Sequence, residues 1–132
     1  MSFLLDTCTI SAHIRRPSGL QSRLIQYSGR LYISSVALAE LYVLAYRLDD
    51  PSTRLQAIEE VIRDEVALID FDVNCARVAG RLRAGLLRRG SSVPPIDLLI
   101  GAVAVTYDMT LVTHNVDDFL PIPGLRLVDW LT

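Results

Sequence analysis

The sequence predicts an α/β fold with a mostly parallel central sheet of about four or five strands, flanked by helices. Short apolar segments recur along the chain and alternate with segments of helical periodicity, which is typical of a doubly wound sheet with right-handed crossovers. No internal repeat or linker interrupts the 132 residues, and this length is enough to bury one core. We therefore expect residues 1–132 to form a single domain.

The N-terminal quarter supplies two strands and two helices. An apolar strand over 3–5 precedes a helix over 8–14. We expect this helix to end near Arg16-Pro17, because proline disfavours helical geometry in the residue before it. A second helix over 20–27 is followed by the next strand, over 31–33.

The middle of the chain continues the alternation. Ser34 or Ser35 caps a long helix that runs to residue 46. The next helix, over 53–63, is amphipathic because its apolar residues recur at helical spacing along one face. A third strand is predicted over 66–69.

The C-terminal half contains the most apolar helix. Asp72 caps a helix over 73–89, which ends at a glycine. Pro94-Pro95 then opens a helix that is almost wholly apolar. The last two strands are predicted over 110–113 and 126–128.

The composition indicates a protein of the reducing cytoplasm rather than a membrane or secreted protein. Hydrophobic residues make up 51% of the chain, but no apolar run approaches the ~20 residues that span a bilayer. Asp6 interrupts the apolar N-terminus, so this segment does not have the pattern of a signal peptide. Cys8 and Cys75 are too few for a disulfide framework and lack metal-ligand spacing. The apolar fraction also predicts that a partner or a second copy covers part of the surface.

Three carboxylates stand inside apolar segments. Asp6 ends the first strand, Glu40 is the only charged residue between positions 36 and 46, and Asp97 falls in the first turn of the apolar helix. Burying a lone carboxylate costs several kilocalories per mole unless a cation meets it. We interpret the repetition as one shared anionic site, a cage for a metal ion, to which Asp117 or Asp118 adds a fourth acid.

The chemistry of these groups favours a hard cation. Carboxylate oxygens, with an amide from Asn115 and without a histidine cluster, suit Mg²⁺ or Mn²⁺. In doubly wound sheets the site lies beyond the carboxyl ends of the strands, where Asp6 and the segment after the fourth strand both fall. Such ions can align a phosphodiester and generate a hydroxide nucleophile.

The chain resembles the PIN-domain nucleases and, within them, the VapC toxins of prokaryotic toxin–antitoxin pairs. The resemblance rests on four motifs in order along nearly the whole chain: Leu4-Leu5-Asp6-Thr7, Ile33 to Leu41 around Glu40, Ile96 to Ala102 around Asp97, and Leu111 to Phe119 followed by Pro123-Gly124-Leu125. It implies a PIN-like, Rossmann-like sandwich, Mg²⁺-dependent cleavage of RNA by metal-activated water, inhibition by a cognate VapB-type antitoxin, and a homodimer.

The resemblance also implies roles for individual residues. Asp6, Asp97 and Asp118 are expected to bind metal, and Glu40 to bind metal or orient the attacking water. Asp118 matches the fourth acid better than Asp117 by its position before Phe119. The supporting residues are Thr7, Thr113, Asn115 and Asp117. Two positions depart from the family pattern: Cys8 where asparagine is usual, and Ala37 where threonine is common.

Each acid also has a simpler structural explanation. Asp6 could cap the following helix, Asp97 could serve only the helix dipole, and Glu40 could pair with Arg15 or Arg47. We interpret Cys8 as a small buried residue, and His13 and His114 as surface or supporting groups too isolated to be ligands. Asp129 is expected at an exposed position in the tail.

Surface residues suggest how partners bind. Arg77, Arg81 and Arg88 lie on one face of the 73–89 helix, which leads into the Asp97 segment, and they are candidate RNA contacts. A set of apolar and aromatic residues is expected to belong mostly to the core, and some of them could form a groove for an amphipathic antitoxin helix: Leu24, Tyr27, Leu41, Tyr42, Leu44 and Tyr46.

Other functions remain open on the sequence. One is a PIN-fold nuclease of RNA processing or DNA metabolism. A phosphotransfer protein, such as a receiver or a haloacid-dehalogenase-like phosphatase with Asp6 as acceptor, is a different class. The phosphatase requires a second aspartate at the position of Cys8, and the receiver requires a lysine that the chain lacks. A binding protein that has lost catalysis is disfavoured by the intact acids.

Overall fold

A computed structural model describes residues 1–16 and 19–131 of the chain. Within these residues a single sheet contains five parallel strands in the order β3-β2-β1-β4-β5. The strands are β1 Phe3–Leu5, β2 Leu31–Ser34, β3 Ala67–Ile69, β4 Thr110–Val112 and β5 Arg126–Val128. The predicted α/β class is confirmed, and the sheet is wholly parallel.

Helices cover the sheet and connect its strands. They are α1 Thr7–Arg15, α2 Gln21–Gln26, α3 Ser35–Tyr46, α4 Ser52–Asp64, α5 Val73–Arg88, α6 Pro95–Thr106 and α7 Val116–Phe119. Every predicted helix is present, with its ends within one residue of the predicted positions. The α1 helix ends at its C-cap Arg16, while Pro17 lies outside the described residues. Helix α7 was not predicted, because four residues are too short to show a periodicity.

Side-chain caps fix where three helices begin. Asp6 accepts the backbone N–H of Thr9 at the start of α1, over a donor–acceptor distance of 2.8 Å. The hydroxyl of Ser34 and the carboxylate of Asp72 do the same for α3 and α5, each at 3.0 Å. These bonds satisfy backbone groups that a helix leaves unpaired at its first turn. Each cap directly follows or closely follows a strand, so the strand ends and helix starts are fixed together.

Helix α6 is the central helix of the core. Residues 100–104 of this helix are all buried. A Cβ at Gly101 would lie 2.7 Å from Ile122 Cδ1, so glycine is what allows the C-terminal segment to pack directly on the helix. None of the described helices is long and apolar enough to cross a membrane.

Candidate active site

The site lies where the two central strands end. Strands β1 and β4 are neighbours, with Leu5 level with Val112. The backbone N–H of Asp6 bonds to the carbonyl of Val112 at 3.1 Å, and that of Thr113 bonds to the carbonyl of Val128 at 2.9 Å. Strand order reverses between β1 and β4, because β2 lies on one side and β5 on the other. A crevice beyond the carboxyl ends of strands is expected at such a reversal.

Asp6 is the buried floor of this site. Its side chain is 4% exposed. One carboxylate oxygen accepts the N–H of Thr9, and the other accepts the hydroxyl of Thr113 at 2.5 Å. Burial raises the pKa of Asp6, the two hydrogen bonds oppose that rise, and the charge of Asp129 adds to it. Asp6 is therefore a helix cap, which is the structural role that the sequence also allowed, and it is a member of a charged cluster. Each of its two oxygens still has a lone pair available.

Asp97 shows that the four predicted acids converge. It lies in the first turn of α6 and is half-buried. Its pKa is raised to about 6, first by burial and then by the negative charges of Asp118, Asp6 and Glu40. Such repulsion requires short separations. Residues from α3, α6, α7 and the end of β1 therefore meet at one place.

Within the described residues, no arginine forms an ion pair with Glu40, Asp97 or Asp118. Among residues 1–16 and 19–131, the ion pairs involve Arg63, Arg126, His13 and His114, and none of them includes Glu40, Asp97 or Asp118. The proposed pairing of Glu40 with Arg15 or Arg47 is therefore wrong. A group of acids held together without a cation is destabilising by itself, which is the pattern of a site that binds a positively charged species.

The donors fit a hydrated divalent ion rather than a closed cage. In the described part of the chain, no three His, Cys, Asp or Glu side chains are grouped tightly enough to hold an ion by themselves. Mg²⁺ commonly binds through one or two carboxylates and completes its coordination with water. The hydroxyl of Thr7, next to Asp6, is buried without a hydrogen-bond partner among these residues. Carboxylate oxygens and a free hydroxyl are the chemistry that such an ion and its waters require.

Thr113 and Asn115 hold the cluster from the β4 side. The hydroxyl of Thr113, which donates to Asp6, accepts the backbone N–H of Asn115 at 2.9 Å. The side-chain amide of Asn115 donates to the thiol sulfur of Cys8 at 3.1 Å. Both residues thus have the supporting positions predicted for them. Asp117, also predicted as supporting, is exposed on α7.

Cys8 does not lie in the core. The residue is at the surface, so its interpretation as a small buried side chain is wrong. Its thiol is nevertheless partly desolvated, and burial followed by the charge of Asp6 raises its pKa. A raised thiol pKa lowers the thiolate fraction, which is the opposite of the change that activates a cysteine nucleophile.

Two histidines are paired with acids that the sequence did not connect to them. His13 is buried rather than at the surface, and its Nε2 lies 2.7 Å from a carboxylate oxygen of Glu65. His114 Nδ1 lies 3.0 Å from Asp129 Oδ2, and the other oxygen of Asp129 accepts the N–H of Leu131 at 2.8 Å.

Asp129 is therefore part of the site's rim rather than an exposed tail residue. Its side chain is 18% exposed, and its charge reaches Asp6. The signal that could have found it is its position, since it directly follows β5 and parallel strands end at one edge. A shallow depression of about 360 Å³ opens beside the acids, lined by His114, Asn115, Val116, Asp117, Asp118 and Asp129.

The sequence matches the PIN domain over residues 3–123. The chain belongs to the PIN-domain family. It is 34% identical over 131 residues to the tRNA(fMet)-specific endonuclease VapC of Salmonella typhimurium, covering 98% of each chain. Ribonuclease VapC2 of Haemophilus influenzae is 29% identical over 132 residues, with 99% of each covered.

Solved structures agree with this assignment. The DNA-bound VapBC of Salmonella typhimurium contains a chain that superposes with a TM-score of 0.93 at 34% identity, covering 98% of both chains. VapBC2 of Rickettsia felis, bound to a promoter DNA fragment, gives 0.92 at 28% identity, with 98% and 99% covered. The resemblance to VapC-type PIN domains is confirmed over almost the full chain.

The predicted RNA-contact arginines lie on α5 of this PIN fold. Arg77, Arg81 and Arg88 are all exposed. The guanidinium of Arg77 donates to the side-chain oxygen of Asn74 at 3.1 Å. The α5 helix packs on α6, which carries Asp97. Contact with RNA stays a prediction for these residues.

Proposed function

We propose that this PIN-domain protein is a Mg²⁺-dependent endoribonuclease and the toxin of a toxin–antitoxin pair. The observation that carries the proposal is the convergence of Asp6, Glu40, Asp97 and Asp118 without a neutralising cation. Relatives that match almost the whole chain are named as ribonucleases, and one is named for cleavage of tRNA(fMet). RNA is therefore the proposed substrate class.

Asp6, Asp97 and Asp118 would hold Mg²⁺, or Mn²⁺, at the carboxyl edge of the sheet. When bound, the ion would polarise the phosphodiester and acidify a water molecule. Asp6 is kept in position by Thr9 and Thr113, so one ligand is preorganised before the ion arrives. Asp97 must lose its proton to bind a cation, and its pKa of about 6 makes that loss easy near neutral pH.

Glu40 has the role of proton acceptor or positioning group for the attacking water. It is half-buried on α3, and its charge acts on Asp97. Water would attack phosphorus as the bond from phosphorus to the 3′ oxygen breaks. The proton lost by the water would pass to a carboxylate, and the departing 3′ oxygen would take a proton from solvent. The products are a 5′-phosphate and a 3′-hydroxyl.

The proposed inhibitor is a VapB-type antitoxin, since solved relatives that match almost the whole chain are VapBC complexes. Helix α3 presents exposed apolar side chains one to two turns beyond Glu40: Val43, Leu44 and Tyr46. An amphipathic antitoxin segment could cover this face while a cationic side chain neutralises the acids. Leu24 and Leu41, from the same set, are buried in the core, as expected for most of its members. We further propose a homodimer in the cytoplasm.

Cleavage of a mixed RNA pool tests the catalytic proposal. We expect Mg²⁺-dependent cleavage that disappears with a chelator and in Asp97→Asn. Asp49→Asn, at an exposed turn residue of the same type, is the matched control and keeps full activity. Activity that survives both the chelator and Asp97→Asn rules out the mechanism, and cleavage of DNA rather than RNA overturns the substrate class.

Co-expression tests the toxin role. We expect growth arrest on expression of the wild-type protein, no arrest with Asp97→Asn, and rescue by co-expression of a cognate VapB-type antitoxin. Arrest that is equal for both proteins would show that toxicity does not come from the acid site.

A further inference from the structure

A basic cleft lies at the C-terminal end of α1. It has a volume of about 450 Å³ and is lined by Ala12, Arg15, Arg16, Gly19, Leu20 and Leu131. No acidic residue is among these six. The cleft therefore combines two guanidinium groups with an apolar floor.

One face of α1 connects this cleft to the acid cluster. Cys8, Ala12 and Arg15 are spaced by four and three residues, so they lie along one stripe of the helix. Two turns, or about 10 Å, separate the backbone of Cys8 from that of Arg15. Long side chains on a helix lean toward its N-terminus, which brings the Arg15 guanidinium back toward Cys8.

Cys8 lies beside the acid cluster. Its sulfur accepts the side-chain amide of Asn115 at 3.1 Å, and Asp6 is two residues before it. The stripe therefore places Arg15 about two helical turns from the edge of the anionic site.

Both cleft arginines are available to a ligand. They are exposed, and neither forms an ion pair or a side-chain hydrogen bond within residues 1–16 and 19–131. Arg63 and Arg126, by contrast, are paired with Asp64 and Asp108. An unpaired guanidinium can bind a phosphate through two parallel hydrogen bonds.

We propose that Arg15 and Arg16 bind phosphates of the RNA backbone and lead the strand along α1 into the acid site. The inference rests on the proposed ribonuclease function and names the surface that the substrate crosses. Four carboxylates repel an approaching polyanion, so a neighbouring cationic surface is needed to hold it there. Phosphate contacts of this kind position the substrate without reading its sequence.

Binding of a labelled single-stranded RNA tests the proposal apart from catalysis. Fluorescence anisotropy is measured with Asp97→Asn, which keeps the RNA intact, and with the same variant carrying Arg15→Gln and Arg16→Gln. We expect affinity to fall about tenfold or more at low salt, and the slope of log affinity against log salt to flatten by about 1.4 for two lost contacts. Equal melting temperatures would show that the substitutions leave the fold intact.

The control removes the same charge elsewhere. Arg63→Gln with Arg126→Gln takes away two arginines that already have carboxylate partners, and we expect RNA affinity to stay unchanged. An unchanged salt slope in the Arg15/Arg16 variant overturns the inference. So does a larger loss from Arg81→Gln with Arg88→Gln, which would place the RNA on α5. Loss of antitoxin binding with RNA affinity intact assigns the cleft to a protein partner instead.

The proposed function is tested separately. Wild-type protein that cleaves RNA while the Arg15/Arg16 variant binds and cleaves equally well leaves the ribonuclease proposal standing and overturns only the cleft. Wild-type protein that cleaves no RNA with Mg²⁺ overturns the ribonuclease proposal itself.

Discussion

Replacing Asp97 by asparagine should stabilise the metal-free protein. Burial and three neighbouring carboxylates raise the pKa of Asp97 from 3.8 to about 6. For a fully buried group a rise of that size corresponds to about 3 kcal/mol at neutral pH. Solvent screening of a half-buried carboxylate reduces this to about 1–2 kcal/mol. Asparagine also loses the attraction of a carboxylate to the helix N-terminus, about 0.3–1 kcal/mol. We expect the variant to be more stable than wild type by about 1 kcal/mol at pH 7.

The gain should depend on pH with a definite sign. Because the folded-state pKa of Asp97 lies above its unfolded value of 3.8, the folded protein binds more protons between pH 4 and pH 6. Wild-type stability is therefore lost as pH rises through this window, and Asp97→Asn lacks that loss. The difference between the two proteins should be small near pH 4 and reach its full size above pH 6.

Urea unfolding in the presence of a chelator measures this difference. Asp49→Asn serves as the control, because it removes an exposed aspartate from a turn. Addition of Mg²⁺ should then raise the stability of wild type more than that of Asp97→Asn, since a ligand that binds only the folded state stabilises it. A variant that is less stable than wild type at pH 7, or a difference that is equal at pH 4 and pH 7, would refute the convergence of the four acids.

Three other substitutions test the surroundings of the site. Thr113→Val should lower the free energy of unfolding by about 1–3 kcal/mol, because buried Asp6 loses a hydrogen bond to its charged form. Thermal unfolding measures this loss, and unchanged stability would show that Thr113 does not support Asp6. Asp129→Asn should lower the pKa of Asp6, since a repelling charge is gone. NMR titration of the Asp6 carboxyl carbon measures this pKa, and an unchanged value would show that Asp129 does not act on the site. Gly101→Val should cost about 1–3 kcal/mol by overpacking, because even a Cβ would approach Ile122 Cδ1 to 2.7 Å; a melting temperature at or above that of wild type would contradict this.

The regular elements could be predicted because each has a local cause. The position between an apolar strand and a helical pattern predicts Asp72 as one cap and either Ser34 or Ser35 as another. In the structure, Ser34 and Asp72 accept the expected backbone N–H. Helix α7 could not be predicted in this way, because it is held by its neighbours after β4 rather than by its own periodicity.

The candidate site could be predicted only as far as chain order constrains it. Parallel strands bring their carboxyl ends to one edge, which places Asp6 and Thr113 together from topology alone. The ionisation of Asp97 could not be predicted, because it depends on distances to residues on three other elements. The predictions that Cys8 is buried and that Asp129 is exposed were wrong for a related reason. The exposure of each side chain depends on which neighbouring segment covers it.

The energetics explain why lone acids in apolar segments were an informative signal. A sequence selected only for stability would place alanine or asparagine at position 97, since a carboxylate there is desolvated and repelled by three others. Each acid comes from a different element, so the repulsion arises only in the folded state and cannot be relieved by a local change of conformation. Thr9 and Thr113 then donate hydrogen bonds to the Asp6 carboxylate that favour its ionised form and oppose, without outweighing, the rise in its pKa caused by burial. A fold that maintains an unfavourable charge and also stabilises its ionised form is organised to bind a cation, because a purely structural role would require only one of these two features.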